Sequence, residues 1–336
     1  MSMKKLSVII PYYNGDRYIG TVLEDLLAQD FKEGEYEIIV VDDGSTEPVD
    51  VLKSYCEQYS PISYVRQDHL GVSAARNSGI AHSTGKYIFF CDCDDRVRKH
   101  ALSQLCELAE THCLEMLFHD YQDTKGGQEP QYVEGESPLD EISSGAAYYA
   151  KHPDMRPECW NYIIMRSFVE KHHLQFPVQV GMHEDVVFLV EALLAAECVS
   201  HVGWVNYYYV HWPQSTINYS GKILKAERVA EDRLWVIKWL LGVLSKYPDI
   251  QCARSIQRRI SNLSFQMLHQ AFRYLPAKKS KDLIRRLRQI GGYPFEEGRY
   301  ISKSLHMTYR VMQVYPLWMT CCYIYHLLPK DIRIRY

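Results

Sequence analysis

Phe89-Phe90-Cys91-Asp92-Cys93-Asp94-Asp95 runs two strongly apolar, β-prone residues into a segment with three carboxylates. The pattern predicts a buried strand that ends abruptly in an acidic loop. Carboxylates packed this closely repel one another unless something compensates. The commonest compensation is a hard divalent cation, Mg2+ or Mn2+, shared with substrate phosphates. The plainer alternative is a polar loop that caps the next helix, since Asp favours helix N-termini. Asp-x-Asp-Asp alone does not choose between them.

The flanking sequence does. Leu6-Ser7-Val8-Ile9-Ile10 is a short apolar run bounded by Pro11, which reads as a fully buried strand. Tyr12-Tyr13-Asn14-Gly15 follows as a turn, with Asn14 suited to cap a helix whose buried face carries Ile19, Val22, Leu23, Leu26 and Leu27. The unit then repeats. Residues 36–41 form a second strand, ending in Asp42-Asp43-Gly44-Ser45-Thr46, and a helix follows with Val51, Leu52, Tyr55 and Tyr59 on one face. Residues 62–65 form a third strand, and the loop beyond it enters a helix of small residues, Ser73 to Gly79, able to pack closely on a sheet. Residues 86–91 are the fourth strand. Such alternation of short apolar strands with helices predicts a parallel sheet covered on its faces, with ligands at the carboxyl ends of the strands. Tyr13, Asp43 and Asp94 each follow a strand, so one site is expected to gather them.

Four segments, in this order and spacing, resemble the successive motifs of family 2 glycosyltransferases with the GT-A fold, notably those that build bacterial cell-surface polysaccharides. They are Ser7-Val8-Ile9-Ile10-Pro11-Tyr12-Tyr13-Asn14, Val40-Val41-Asp42-Asp43-Gly44-Ser45-Thr46, Ala75-Arg76-Asn77-Ser78-Gly79 and Asp92-Cys93-Asp94-Asp95. The resemblance is close over the first third of the chain and looser as far as His211. It implies an α/β fold of GT-A type, a mostly parallel central sheet flanked by helices. It also implies a nucleotide-sugar donor bound by Pro11, Tyr13, Asp43, Arg76, Asp92 and Asp94. In that scheme Tyr13 lies against the nucleobase and Asp43 hydrogen-bonds to it. Arg76 lies near the base and the diphosphate, and Asp92 faces the ribose. Asp94 binds the Mn2+ or Mg2+ that bridges the diphosphate, while Asp95 supports the site. The chemistry agrees, since a departing diphosphate develops charge that a divalent cation stabilises. Cys93 stands where Ser or Ala is common in the family and His69 where Asn is frequent, but neither change removes a proposed functional side chain. No Gly-x-x-x-x-Gly-Lys-Ser/Thr loop occurs, which argues against an NTPase.

A second acidic group lies in Gly181-Met182-His183-Glu184-Asp185-Val186-Val187-Phe188. Two carboxylates in the first turn of a helix are favourable by themselves. The resemblance implies more, making Asp185 the catalytic base and Glu184 its support or an acceptor contact. Inverting transfer needs a carboxylate to take the acceptor's proton from the side opposite the leaving group, and so from a different segment than Asp94. The resemblance also implies an acceptor-side segment at Trp160 and Asn161, where Trp160 either stacks on a sugar or fills the core. Residues 207–212 read as a strand ending near the site. His211 is a candidate further metal ligand, and Ser215 and Thr216 are candidate phosphate contacts.

At 336 residues the chain has length for a large core and an appendage. The expected division is a GT-A domain over 1–219 and a helical extension over 220–336. Within the domain, 1–121 is the nucleotide-sugar half and 139–219 the acceptor half, with a surface loop at 122–138 between them. A net charge of −3 gives no electrostatic case for nucleic acid. The ten cysteines lack zinc spacing, and with no secretory leader the default is reduced thiols in a cytoplasmic protein. Helices are expected from residue 222 onward, including 250–274 and 280–290. Residues 278–288 are basic and amphipathic, and 315–328 are apolar and aromatic but shorter than the ~20 residues needed to span a bilayer. These elements suit a peripheral contact with the inner face of the cell membrane, near a lipid-linked glycan acceptor, or a contact between copies in a homo-oligomer. The function expected is a metal-dependent inverting transfer from a UDP-sugar to a hydroxyl of a growing surface glycan. A sugar-nucleotide nucleotidyltransferase and a non-catalytic nucleotide-binding scaffold are the alternatives.

Overall fold

The computed structural model describes residues 4–126, 128, 137–212, 223–294, 310 and 314, and groups the chain into two units. The first comprises Met1–Tyr148 and Arg156–Asn218, and the second Tyr149–Met155 and Tyr219–Tyr336. The short stretch Tyr149–Met155, which the sequence reading left in the first domain, thus groups with the helical extension.

The first unit opens with β1 (Leu6–Tyr12), α1 (Asp16–Leu27), β2 (Tyr36–Asp42), α2 (Asp50–Gln58), β3 (Ile62–Arg66), α3 (Val72–His82) and β4 (Tyr87–Phe90). β1 lies between β2 and β4, and β2 pairs with β3, all in parallel. These strands are apolar because helices cover both faces, and Val8, Ile9, Ile10, Ile38, Val40, Ile88 and Phe89 are all buried. β1 does not stop at Pro11 as expected, because Pro11 and Tyr12 still pair with Val41 and Asp42. Pro11 is tolerated because β1 pairs with β4 only as far as Ile9, whose carbonyl accepts from Cys91 N–H. The missing proline N–H points to that vacated side.

The second half adds β5 (Arg96–Val97), α4 (Leu102–Thr111), β6 (Met116–Lys125), α5 (Gly145–Lys151), β7 (Tyr162–Met165), α6 (Arg166–Lys171), α7 (Glu184–Ala195) and β8 (Val199–His211). The complete sheet runs β3-β2-β1-β4-β7-β6-β8-β5. β7 is antiparallel to both β4 and β6, β8 is parallel to β6, and β5 is antiparallel to β8. The loop expected from residue 122 begins later, because β6 pairs with β8 as far as Lys125↔His211. Residues 127 and 129–136 of that loop lie outside the described residues. On α2 the expected apolar face is narrower than its sequence suggests. Leu52 is buried, whereas Val51 and Tyr59 are each 40% exposed.

The second unit contains α8 (Ile223–Lys246), α9 (Ala253–Tyr274) and α10 (Ala277–Gln289). Ile256, Ile260, Leu263, Met267 and Leu268 recur at helical spacing and form the buried face of α9. α10 carries the basic amphipathic pattern, with Leu283, Ile284 and Leu287 buried. Lys279–Glu227 and Arg286–Glu231 ion pairs tie it to α8. The apolar stripe of α10 is therefore already covered. An interfacial helix needs that stripe for lipid, so what residues 278–288 present outward is a cationic surface. Residues 315–336 lie outside the described residues, and among those described no helix is long and apolar enough to cross a membrane.

α3 approaches the sheet closely, since a Cβ on Gly79 would sit 2.2 Å from Ile9 Cγ2. Ala would improve helix propensity by roughly 1 kcal/mol, but overpacking a core costs about 1–3 kcal/mol. A 2.2 Å approach lies at the severe end of that range, so Gly79→Ala should lower stability to urea by about 2 kcal/mol. An unchanged or higher midpoint would show that α3 has room to move.

Candidate functional site

The acidic loop leaves the end of β4 and is gripped by β8. The Asp92 N–H donates to Tyr207 Oη at 3.1 Å, and that hydroxyl donates to Asp95 Oδ2 at 2.6 Å. Val210 N–H donates to Asp95 Oδ1 at 2.7 Å, and Trp212 Nε1–H donates to the Asp94 carbonyl at 2.7 Å. Asp95 is buried at the centre of this grip, and burial followed by the neighbouring Asp92 and Asp94 charges pushes its pKa up. Its carboxylate anchors β8.

Asp94 differs. It is half-buried, and among the described residues no other side chain hydrogen-bonds to its carboxylate. Burial, then Asp92, pushes its pKa up to about 6, against its own backbone N–H and the charge of Arg17. A carboxylate without a side-chain hydrogen bond among the described residues suits a hard cation that takes its remaining ligands from substrate phosphates and water. No cluster of three or more His, Cys, Asp or Glu that could hold a metal ion exists among the described residues. His211 does not join Asp94 in such a cluster. Its Nε2 lies 2.8 Å from Asp123 Oδ1 on the neighbouring strand β6, and half of its side chain is exposed.

Arg76, on α3, brings the two acidic groups together. Its Nη1 lies 2.7 Å from Glu184 Oε1 and 3.1 Å from Asp185 Oδ1, and its Nη2 lies 3.3 Å from Asp92 Oδ1. The guanidinium is buried and stands 5.2 Å from the centre of the Phe176 ring. Its Nε has no hydrogen-bond partner among the described residues. Glu184 and Asp185 occupy the first turn of α7, as the sequence suggests. One cation faces three carboxylates. Burial raises the Asp185 pKa, Arg76 opposes the rise, and Glu184 and Asp92 reinforce it. A carboxylate of raised basicity whose side chain keeps some exposure is suited to accept a proton.

At the other end of the site Tyr13 is exposed and lies on the His69 ring, with centroids 4.4 Å apart and planes tilted by 30°. Asp43 is buried, and its own loop takes up its oxygens. Gln67 Nε2 donates at 2.8 Å and Leu70 N–H at 2.9 Å to Oδ1, while Gly71 N–H donates at 2.9 Å to Oδ2. Gly44 lies under this loop at φ +74°, where a Cβ would be 2.8 Å from His69 N. Asn14 does not cap α1, whose N-cap is Gly15. Its Oδ1 instead accepts from Thr46 and Glu47 N–H, binding the β1 turn to the β2 turn. Pro11 is half-buried in the β1–β2 ladder.

The acceptor-side reading needs one correction. Trp160 is 1% exposed and lies flat on Tyr207, at 4.5 Å and 3°. Its ring fills the core and offers no open face to a sugar. Asn161 is also buried, and its Nδ2 donates to the Arg156 carbonyl at 3.0 Å. Ser215 and Thr216 lie outside the described residues. The sequence reading missed Tyr207, Val210 and Trp212 as anchors of the acidic loop. Only the period-two alternation of the strand hints at them, and it leaves open which face meets that loop.

Comparison with known proteins places this geometry. The family model described as glycosyl transferase family 2 matches residues 7–173. TarS of Staphylococcus aureus, a poly(ribitol-phosphate) beta-N-acetylglucosaminyltransferase, is 27% identical over 258 residues, which are 76% of this chain and 43% of TarS. The chain therefore spans less than half the length of that relative. The glycosyltransferase YibD of Escherichia coli is 27% identical over 325 residues, 89% of this chain and 86% of YibD. The crystal structure of TarS 1–349 with UDP-GlcNAc superposes with a TM-score of 0.57 at 19% identity, covering 93% of each chain. The mannosyltransferase PcManGT of Pyrobaculum calidifontis, solved with GDP-Man and Mn2+, superposes with a TM-score of 0.54 at 13% identity, covering 98% of this chain and 89% of that one. At these identities the structural likeness is one of fold, and the fold is GT-A.

The raised pKa of Asp94 carries a sign that stability measurements read. Folding disfavours its ionised form, so wild type loses stability as pH rises from its ordinary carboxylate pKa through about 6. Asn at this position never ionises. In the presence of a chelator, Asp94→Asn should melt above wild type at about pH 8 and together with it near pH 3.5. A variant that melts below wild type at the higher pH would show that the ionised carboxylate holds the fold.

Proposed function

We propose, for a chain that belongs to glycosyl transferase family 2 through residues 7–173, transfer of a sugar from a UDP-sugar to a hydroxyl of a growing bacterial surface glycan, with inversion at the anomeric carbon. The observation that carries this reading is the Arg76 bridge, which brings Asp185 and Asp92 to one guanidinium though 93 residues separate them in sequence (185 − 92). A base and a donor-binding loop must be this close for in-line displacement.

In this reading Tyr13 with His69 forms the platform for the nucleobase, and Asp92 faces the ribose. Asp43 acts through the loop it holds. The acceptor oxygen attacks the anomeric carbon while the bond from that carbon to the diphosphate oxygen breaks. The hydroxyl proton passes to Asp185, which Arg76 holds by Oδ1. A divalent cation held by Asp94 and the donor's own phosphate oxygens would neutralise the charge that grows on the leaving diphosphate. Glu184 shares Arg76 and keeps the base oriented. Donor choice is supported by the UDP-GlcNAc complex of TarS, and the polymer in the TarS name supports an extended, hydroxyl-rich acceptor. A lipid-linked acceptor would place the reaction at the inner face of the cell membrane, with the cations of α10 towards anionic headgroups.

Asp185→Asn should lower kcat by roughly 10²- to 10⁴-fold and leave UDP binding intact, since it removes a general base and nothing from the donor pocket. Calorimetry with UDP and turnover with a UDP-sugar read the two quantities separately. Near-normal turnover would overturn the assignment of the base. Pyrophosphate release from an NTP and a sugar phosphate would instead identify a nucleotidyltransferase.

A further inference from the structure

The end of β8 carries a feature that the donor-site residues leave unexplained. Trp212 Nε1–H donates to the Asp94 carbonyl at 2.7 Å, and the indole packs on the Tyr18 ring of α1 with centroids 4.5 Å apart. The guanidinium of Arg17 covers the same Tyr18 ring at 4.4 Å from its centre. The indole is also close-packed on Gly126, where a Cβ would stand 2.4 Å from Trp212 Cε3. Three separate segments, at 17–18, 94 and 126, thus converge on the indole of Trp212, whose N–H is spent on the main chain of Asp94. Among the described residues no side chain hydrogen-bonds to the Asp94 carboxylate.

We propose that Trp212 is a positioning residue for the Asp94 half-site. By fixing the Asp94 carbonyl, the indole fixes the peptide that carries the carboxylate, and so pre-orients that carboxylate toward a divalent cation on the donor diphosphate. The inference rests on the donor-site reading above and adds to it a residue that touches neither donor nor acceptor. Pre-orientation matters here because, among the described residues, no cluster of three or more protein ligands surrounds Asp94 to correct its geometry.

Two substitutions disturb the indole from opposite sides. Trp212→Phe keeps an aromatic ring against Tyr18 and deletes the N–H. Gly126→Ala keeps the indole and pushes it from beneath. The readout is the Mn2+ concentration that half-saturates UDP binding, measured by calorimetry, alongside UDP affinity in chelator and the melting temperature. Both variants should need roughly three- to tenfold more Mn2+, the range for losing one hydrogen bond, with UDP affinity in chelator unchanged. Half-saturation at the wild-type Mn2+ concentration in both variants would overturn the role of Trp212 alone. A wild type that binds UDP equally with and without Mn2+ would overturn the metal half-site and this inference with it. If Trp212→Phe melts too low to measure, Gly126→Ala decides, because it keeps the indole and displaces it by the bulk of one methyl group.

Discussion

Arg76 sits with its side chain 5% exposed among carboxylates from two distant parts of the chain: Asp92 in the loop after β4, and Glu184 and Asp185 at the start of α7. Taking one cation and three anions out of water is costly, and mutual attraction offsets that cost only where geometry is good. Much else follows from meeting this condition. α3 must lie close enough to the sheet for Arg76 to reach the β4 loop, and its small residues, Ala75 and Gly79, permit that approach. α7 must start at the same point, where its N-terminal dipole shares the stabilisation of Glu184 and Asp185. Burial first, and then the neighbouring Glu184 and Asp92 charges against the pull of Arg76, leave the Asp185 proton held more tightly than in water.

The half of the fold built from β1 to β4 is legible in the sequence because parallel strands covered on both faces read as unbroken apolar runs. β5, β6 and β7 are not. β5 has two residues, β6 changes from buried to exposed along its length, and β7 is a four-residue apolar run whose antiparallel insertion between β4 and β6 is fixed by distant partners. The site divides in the same way. Asp92, Asp94, Glu184 and Asp185 announce themselves as short motifs. What the motifs do not carry is the register of β8, the burial of Trp160 or the partner of His211, because each depends on which faces meet in three dimensions. Asn14 shows the same limit: its type suits a helix cap, and the fold uses it to lock two turns together.

α10 adds a related lesson about amphipathic helices. Its sequence places Leu283, Ile284 and Leu287 on one face and six Lys or Arg residues elsewhere, a pattern shared by membrane-surface helices and by helices of ordinary bundles. Sequence shows the stripe but not what covers it. Here Gly292 approaches Leu287 and Ile237 so closely that a Cβ would lie 2.6 Å and 3.1 Å from their side-chain carbons. What the helix offers outward is charge.

Tyr207 has two jobs that are chemically unrelated. Its flat face supports Trp160 in the interior, and its hydroxyl holds the main chain of Asp92 and the carboxylate of Asp95. A single side chain therefore couples the packing of residues 156–161 to the geometry of the acidic loop. The two halves of the first unit are not interchangeable cassettes. A half grafted from a relative would bring its own β8 and its own anchor for a loop it did not evolve with. New specificities on this scaffold are more readily gained by variation in the loops beyond the sheet than by recombination across it.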